Sequence, residues 1–158
     1  MAQEKQIEIK RLTADDPQQA RTMFAMMAEI FSEDFVPLSD LYIQRLLRRG
    51  EFWALAAFEG GRVVGGITAH QLPMTRNEIS ELFLYDIAVR TGHRRRGVGR
   101  SLVHTLRDLA RKAGIGAVFV SADDEDTHAL DFYRSLGGEP SPVTIFDFPA
   151  TLEASKSR

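Results

Sequence analysis

The chain contains no cysteine, which excludes disulfide bonds, thiolate metal sites and a cysteine acyl intermediate together. No apolar run approaches the ~18–20 residues of a transmembrane helix. The opening Met1-Ala2-Gln3-Glu4-Lys5-Gln6 has no apolar signal-peptide core, so export is not expected and a cytoplasmic location is. Histidine is scarce, and His70, His93, His104 and His128 show no metal-ligand spacing. No metal is therefore expected. A basic excess is missing as well: the formal net charge is -2 and the pI is about 6.1. Nucleic acids and anionic membranes call for a basic face, so neither is an expected partner.

What is present fits an ordinary globular protein: 158 residues, 44% hydrophobic and 27% charged, enough for one domain over 1–150 with a polar tail at 151–158. Apolar alternation predicts a strand from Ile7 to Leu12, ended by Asp15-Asp16-Pro17. Helical spacing of Ala20, Phe24, Met27, Ala28 and Phe31 follows, with Pro17 suited to the first turn. Ser39 or Asp40 is placed to cap a second helix through Leu47. Glu59-Gly60-Gly61 is turn chemistry joining strands over 52–58 and 62–71. Long and short strands are predicted over 79–89 and 117–120, and a last strand over 143–148. Val98, Leu102, Val103, Leu106, Leu109, Ala110 and Ala113 make one face of a helix that Gly114 ends; another helix spans 127–136 before Gly137-Gly138. The fold class is α/β in the α+β sense: a mixed, mostly antiparallel sheet with helices on both faces. Trp53 and Met23, Met26 and Met27 read as core.

The most informative stretch is Arg94-Arg95-Arg96-Gly97-Val98-Gly99-Arg100, between the 79–89 strand and the amphipathic helix. A helix N-terminus carries about half a positive charge and four unpaired N–H donors. Glycine at alternating positions lets a phosphate reach the backbone without meeting a Cβ. A dinucleotide fingerprint is excluded because no third glycine follows, and a Walker loop because G-K-[S/T] is absent. A solvated basic helix start is the bland alternative, but arginines there oppose the dipole and lose about 0.3–1 kcal/mol each without an anion. The stretch reads as a pyrophosphate cradle.

Arg94-x-x-Gly97-x-Gly99 after Asp86-Ile87-Ala88-Val89 resembles the acetyl-CoA loop of the GCN5-related N-acetyltransferases. Asp126-x-x-Ala129-x-x-Phe132-Tyr133-x-x-Leu136-Gly137 is similar to that superfamily's second signature, although Asp126 stands where Asn is frequent. A narrower likeness runs from about Phe31 to Asp147. Phe52-x-Ala54-Leu55-Ala56-Ala57-Phe58, Val63-Val64-Gly65, Ser80-Glu81, Tyr85-Asp86-x-Ala88-Val89, His93-Arg94-Arg95, Ala122-Asp123 and Phe146-Asp147 resemble the type I aminoglycoside 3-N-acetyltransferases.

The resemblance implies acetyl transfer from acetyl-CoA to the 3-amino group of gentamicin-like antibiotics, antibiotic resistance, and a homodimer. It also implies direct attack of the amine on the thioester, which the lack of cysteine suits. Backbone N–H groups along Ile87, Ala88 and Val89 would hold the pantetheine arm and polarise the carbonyl. Those from Arg95 through Arg96, Gly97, Val98 and Gly99 to Arg100 would take the pyrophosphate, with Arg94 adding charge; Asp126, Ala129 and Phe132 belong to the same cofactor signature. Tyr133 is the implied acid for the departing thiolate, and packing beside Leu130 and Leu136 is its plainer role. A thiol of pKa about 8.5 needs little help, so losing Tyr133 should slow the reaction rather than abolish it.

The base is read from the residues. Simple alternation puts Glu81 and Tyr85 on one face and Asp86 on the other, and a bulge near Asp86 would break that parity. Asp86 interrupts an apolar strand, which is costly unless it meets a cation or donor. It is the favoured substrate contact, with Glu81 as a base through water. Asp123, Asp124, Glu125 and Asp126 are either a helix N-terminal acidic cluster or, for Asp123 and Asp124, part of an acidic wall. Glu33, Asp34, Asp40 and Asp147 are the other candidates for that wall, which a polycationic acceptor wants. His70 is the one histidine placed to reach a pocket. Other amines (a polyamine, a protein lysine or N-terminus) and a non-catalytic acyl-CoA sensor remain open.

Overall fold

The computed structural model describes residues 5–150. They form two compact units, divided after Ser121. The first holds β1 (Ile7–Arg11), α1 (Pro17–Ile30), α2 (Asp40–Leu47), β2 (Phe52–Glu59), β3 (Arg62–Pro73), β4 (Ser80–Val89), a single 3-10 turn (Thr91–His93), α3 (Val98–Lys112) and β5 (Ala117–Val120). The strands lie in the order β1-β2-β3-β4-β5. The first three pairings are antiparallel and β4–β5 is parallel.

Local chemistry accounts for the boundaries. Pro17 begins α1 with a fixed φ and no N–H to satisfy. Ser39 caps α2, its Oγ accepting from the Tyr42 N–H at 3.2 Å. Gly60 and Gly61 both take positive φ, 56° and 79°, as a two-residue hairpin turn requires. Past the end of α1, Ser32 adopts φ 54° in place of the glycine usual there. The Glu33 N–H then returns to the Ala28 carbonyl at 3.0 Å, which turns the chain sharply at Glu33.

One dipeptide sets the layering. Gly65 and Gly66 are neighbours on β3, so they face opposite sides of the sheet. A Cβ on Gly65 would lie 3.2 Å from Val98 Cγ1 and 3.3 Å from Leu102 Cδ1 of α3. A Cβ on Gly66 would collide with the Met23 side chain of α1. Helices thus cover both faces. On one side Met23, Met26, Met27, Ile43 and Leu47 bury against Phe52, Ala54, Ala56 and Ala88. On the other, Val98, Leu102, Leu106 and Ala110 supply the buried stripe of α3. Each fully buried aliphatic side chain contributes about 1.5–3 kcal/mol. Trp53 lies in this core, with the Arg11 guanidinium 3.8 Å above its ring.

In the second unit α4 spans Thr127–Ser135, and Gly137 follows at φ 87°. The strand predicted over 143–148 is not formed. That segment joins no ladder among the described residues, and Val143 and Phe148 are 77% and 91% exposed. Alternating apolar residues make a strand only when another edge accepts their backbone groups. The tail expected at 151–158 lies outside the described residues. No helix among the described residues is long and apolar enough to cross a membrane.

Candidate active site

The decisive local feature is an extra residue in β4. Leu84 pairs with Ala69 and Asp86 with Thr68, so Tyr85 has no counterpart on β3. Thr68 and Ala69 point to opposite faces, and so therefore do Asp86 and Leu84. Plain alternation would put Asp86 with Leu84. The bulge turns it instead onto the face of Phe83 and Glu81, whose partners are His70 and Leu72. Both candidate carboxylates thus share the α1 side of the sheet, while Leu82 and Leu84 remain buried opposite.

A row of ring contacts runs along the face that Asp86 shares with His70 and Phe83. The His70 ring lies 5.4 Å from Phe52 and 5.4 Å from Tyr85. Tyr85 meets Phe83 edge-on, and Phe83 stacks on Phe119 at 5.0 Å and 14°. Half-buried among these groups, Asp86 holds its proton more tightly than a solvated aspartate. Desolvation is the main cause, the Glu33 charge adds to it, and His70 opposes it. Glu33 is thereby placed on the Asp86 side. Asp34 is exposed in the following segment. Asp40, a candidate for the acidic wall, is instead paired with Arg21, which also donates to the Leu38 carbonyl at 2.8 Å. That pair fixes the α1–α2 connection.

The backbone beyond the bulge is open on one side. β5 pairs with β4 only over 81–84, so among the described residues the stretch 86–89 has β3 as its sole ladder partner. Ile87, Ala88 and Val89 therefore form a sheet edge beside the turn into α3, where an extended ligand arm has backbone to bind. In the turn, Arg95 has φ 60° and Gly97 φ 79°. A left-handed arginine costs about 1–3 kcal/mol and persists only where its surroundings hold it. Gly97 occupies the N-cap position of α3, no side chain caps the helix, and the space a Gly97 Cβ would take is open. Uncapped N–H groups beside an open glycine fit an anion.

The arginines divide their work. Arg96 Nη2 donates to Glu59 Oε1 at 2.7 Å, and His93 Nε2 meets Glu59 Oε2 at 2.9 Å. These two contacts hold the Glu59 carboxyl below the usual carboxylate range, His93 more than Arg96. Arg94 Nε donates to the Val89 carbonyl at 3.3 Å. Sequence reasoning assigned Glu59 only to the hairpin turn, and gave His93 no partner beyond its place in the His93-Arg94-Arg95 resemblance. The pair is 34 residues apart in the chain, and no local spacing signals such a contact.

The second unit carries the remaining candidates. Asp126 Oδ1 accepts from the Ala129 N–H at 3.0 Å, capping α4. That is the plainer of its two readings, and the carboxylate stabilises the helix start. Asp123 and Asp124 are exposed ahead of it, and Asp147 lies in the exposed 143–148 segment. Phe132 and Tyr133 are partly buried neighbours on α4 with their rings 5.2 Å apart. Among the described residues no group of His, Asp and Glu is arranged to hold a metal ion.

Comparison with known proteins matches this arrangement. An aminoglycoside acetyltransferase from an uncultured soil metagenomic sample, crystallised with sisomicin, superposes with a TM-score of 0.88 at 28% identity, over 92% of this chain and 97% of that one. A second from such a sample gives 0.86 at 33% identity, over 92% and 99%. Human N-acetyltransferase 8 is 31% identical over 120 residues, which is 74% of this chain and 51% of that protein. The Escherichia coli K12 ribosomal protein bS18-alanine N-acetyltransferase is 28% identical over 78 residues, covering 49% and 53%. The chain spans about half the length of the curated relatives it matches. The acetyltransferase (GNAT) family profile covers residues 19–137, and with its sheet, uncapped helix start and glycine turn the chain belongs to that family.

Proposed function

We propose that this protein transfers the acetyl group of acetyl-CoA to the 3-amino group of an aminoglycoside, and so confers resistance to the antibiotic. The observation that carries the reading is the Tyr85 bulge, which sets Asp86 and Glu81 on one aromatic face beside the open backbone of 86–89. Likeness to two aminoglycoside acetyltransferases over nearly their whole lengths supports the acceptor class.

The acetyl-CoA pyrophosphate would lie against the N–H groups of 95–100 and its pantetheine arm along Ile87, Ala88 and Val89. Asp86, with Glu33 nearby, attracts a cationic amine, and its raised affinity for protons suits it to take one. The neutral amine nitrogen attacks the thioester carbon; the C–N bond forms and the C–S bond breaks. The amine proton passes to Asp86, or through water to Glu81. Tyr133 gives its proton to the departing thiolate. We take Asp34, Asp123, Asp124 and Asp147 as further acidic candidates for contact with the acceptor, and the enzyme as a homodimer.

A second reading keeps the chemistry and changes the acceptor to a protein amine. The match to a ribosomal-protein alanine acetyltransferase favours it. Thiol release from acetyl-CoA with gentamicin, spermidine or a lysine peptide separates the two. Turnover with gentamicin is expected, with kcat about 10–100-fold lower in Tyr133→Phe because a thiolate leaves readily. Turnover with the peptide alone would transfer the assignment to the second reading. Acetyl-CoA binding without turnover of any acceptor would point to an acyl-CoA sensor.

A further inference from the structure

We propose that Glu59 is the positioning residue of the pyrophosphate turn: it never touches coenzyme A, yet sets its affinity. The inference rests on the acetyl-CoA reading above and extends it to a residue outside the family motifs quoted for the turn. Glu59 ends β2, at the hairpin before β3. Its two carboxylate oxygens hold different residues of one turn: Oε2 meets His93 Nε2 at 2.9 Å and Oε1 accepts from Arg96 Nη2 at 2.7 Å. His93 and Arg96 bracket Arg94 and Arg95, and Arg95 is the residue held at φ 60°.

The His93 side of this clamp is the enclosed one, while Arg96 is 42% exposed. His93 and Glu59 side chains are only 14% and 18% exposed, so the contact is shielded from the solvent that weakens surface pairs. The other His93 nitrogen, Nδ1, is buried with no partner among the described residues, which leaves Glu59 as the ring's polar anchor. The hairpin itself belongs to the sheet: Glu59 pairs with Ile7 on β1 and Arg62 on β3. The end of a strand paired on both sides therefore fixes the left-handed turn from which the N–H groups of Gly97, Val98 and Gly99 emerge.

Electrostatics and positioning predict opposite signs, so the idea is testable. A carboxylate near a pyrophosphate repels it, and by charge alone Glu59→Gln should tighten coenzyme A binding. If Glu59 positions the turn, the same substitution weakens binding. Titration calorimetry of the full chain with coenzyme A and with pantetheine, which lacks the pyrophosphate, distinguishes the cases. In Glu59→Gln the dissociation constant for coenzyme A should rise about tenfold or more, with that for pantetheine unchanged. Unchanged or tighter coenzyme A binding overturns the proposal. So does an equal loss for both ligands together with a lower Tm, which marks a merely structural staple. His93→Gln, which leaves the Arg96 contact in place, should shift coenzyme A binding in the same direction and serves if Glu59→Gln does not fold. If the unaltered protein binds coenzyme A no better than pantetheine, the acetyl-CoA reading itself fails, a result separable from failure of Glu59.

Discussion

At the scale of single residues, Asp86 carries a conflict between folding and chemistry. Burial and the Glu33 charge raise its affinity for a proton, so at neutral pH its ionised form opposes folding while remaining the form that attracts a cationic amine and accepts a proton. Because the native pKa is raised, activity should grow as pH climbs through a value above the ~4 of a solvated aspartate. In Asp86→Asn, kcat/KM should fall about 10²–10⁴-fold and lose that acidic limb, while Tm at neutral pH rises. A limb that survives the substitution would assign the proton to another group. The sequence marked Asp86 as an anomaly, a charge inside an apolar strand, without placing it. Its face depends on the unpaired Tyr85, and that is settled by the register of β3 and β4 rather than by anything within residues 79–89.

At the scale of elements, the contrast between Gly65 and Gly66 is informative. Both admit helices close to the sheet, but the predicted damage differs. Gly66→Ala drives a Cβ into Met23, near the root of its flexible chain as well as its sulfur. We expect a loss of about 1–3 kcal/mol in urea unfolding. Gly65→Ala meets its neighbours at 3.1–3.3 Å and should cost less. Equal stability of Gly66→Ala and the unaltered protein would show that α1 can lift without penalty. Helix and hairpin limits were legible because they are written in adjacent residues: Pro17, Ser39, Gly60-Gly61 and Gly114. The 143–148 segment has strand-like alternation as well. A ladder needs a second edge, which lies outside the segment's own sequence.

At the scale of the whole molecule, acid should weaken the fold through a few ion pairs. Asp16 is 5% exposed and binds Lys10 Nζ at 2.5 Å and the Thr13 N–H at 2.9 Å. Lys10 first, then Thr13, hold its carboxyl below the usual range against the opposing effect of burial. A depressed native pKa means this contribution is complete above about pH 4 and disappears as pH falls through the lower native value. Melting curves across pH 3–7 should show Asp16→Asn less stable than the unaltered protein at neutrality and converging with it in acid. A constant gap would show that the Asp16 charge is not what matters. The element order was readable from β1 through α4, and the mixed sheet with it, but the strand expected over 143–148 was not formed. The Glu59–His93–Arg96 clamp was not, because it joins segments that meet only after the hairpin and α3 have docked.

The bulge in β4 also bears on how such a protein changes over generations. Asp86, His70 and the aromatic rings meet an acceptor through side chains, which point mutations replace one at a time. The stretch 86–89 offers backbone, which most substitutions leave in place. Acceptor preference can therefore wander while the acetyl donor stays fixed. Loss of one codon at Tyr85 is different: Leu84 and Asp86 would become neighbours on a regular strand in the register they already hold, so Asp86 would keep the α1 face while the Tyr85 ring and the bulged backbone beside it vanish in a single step.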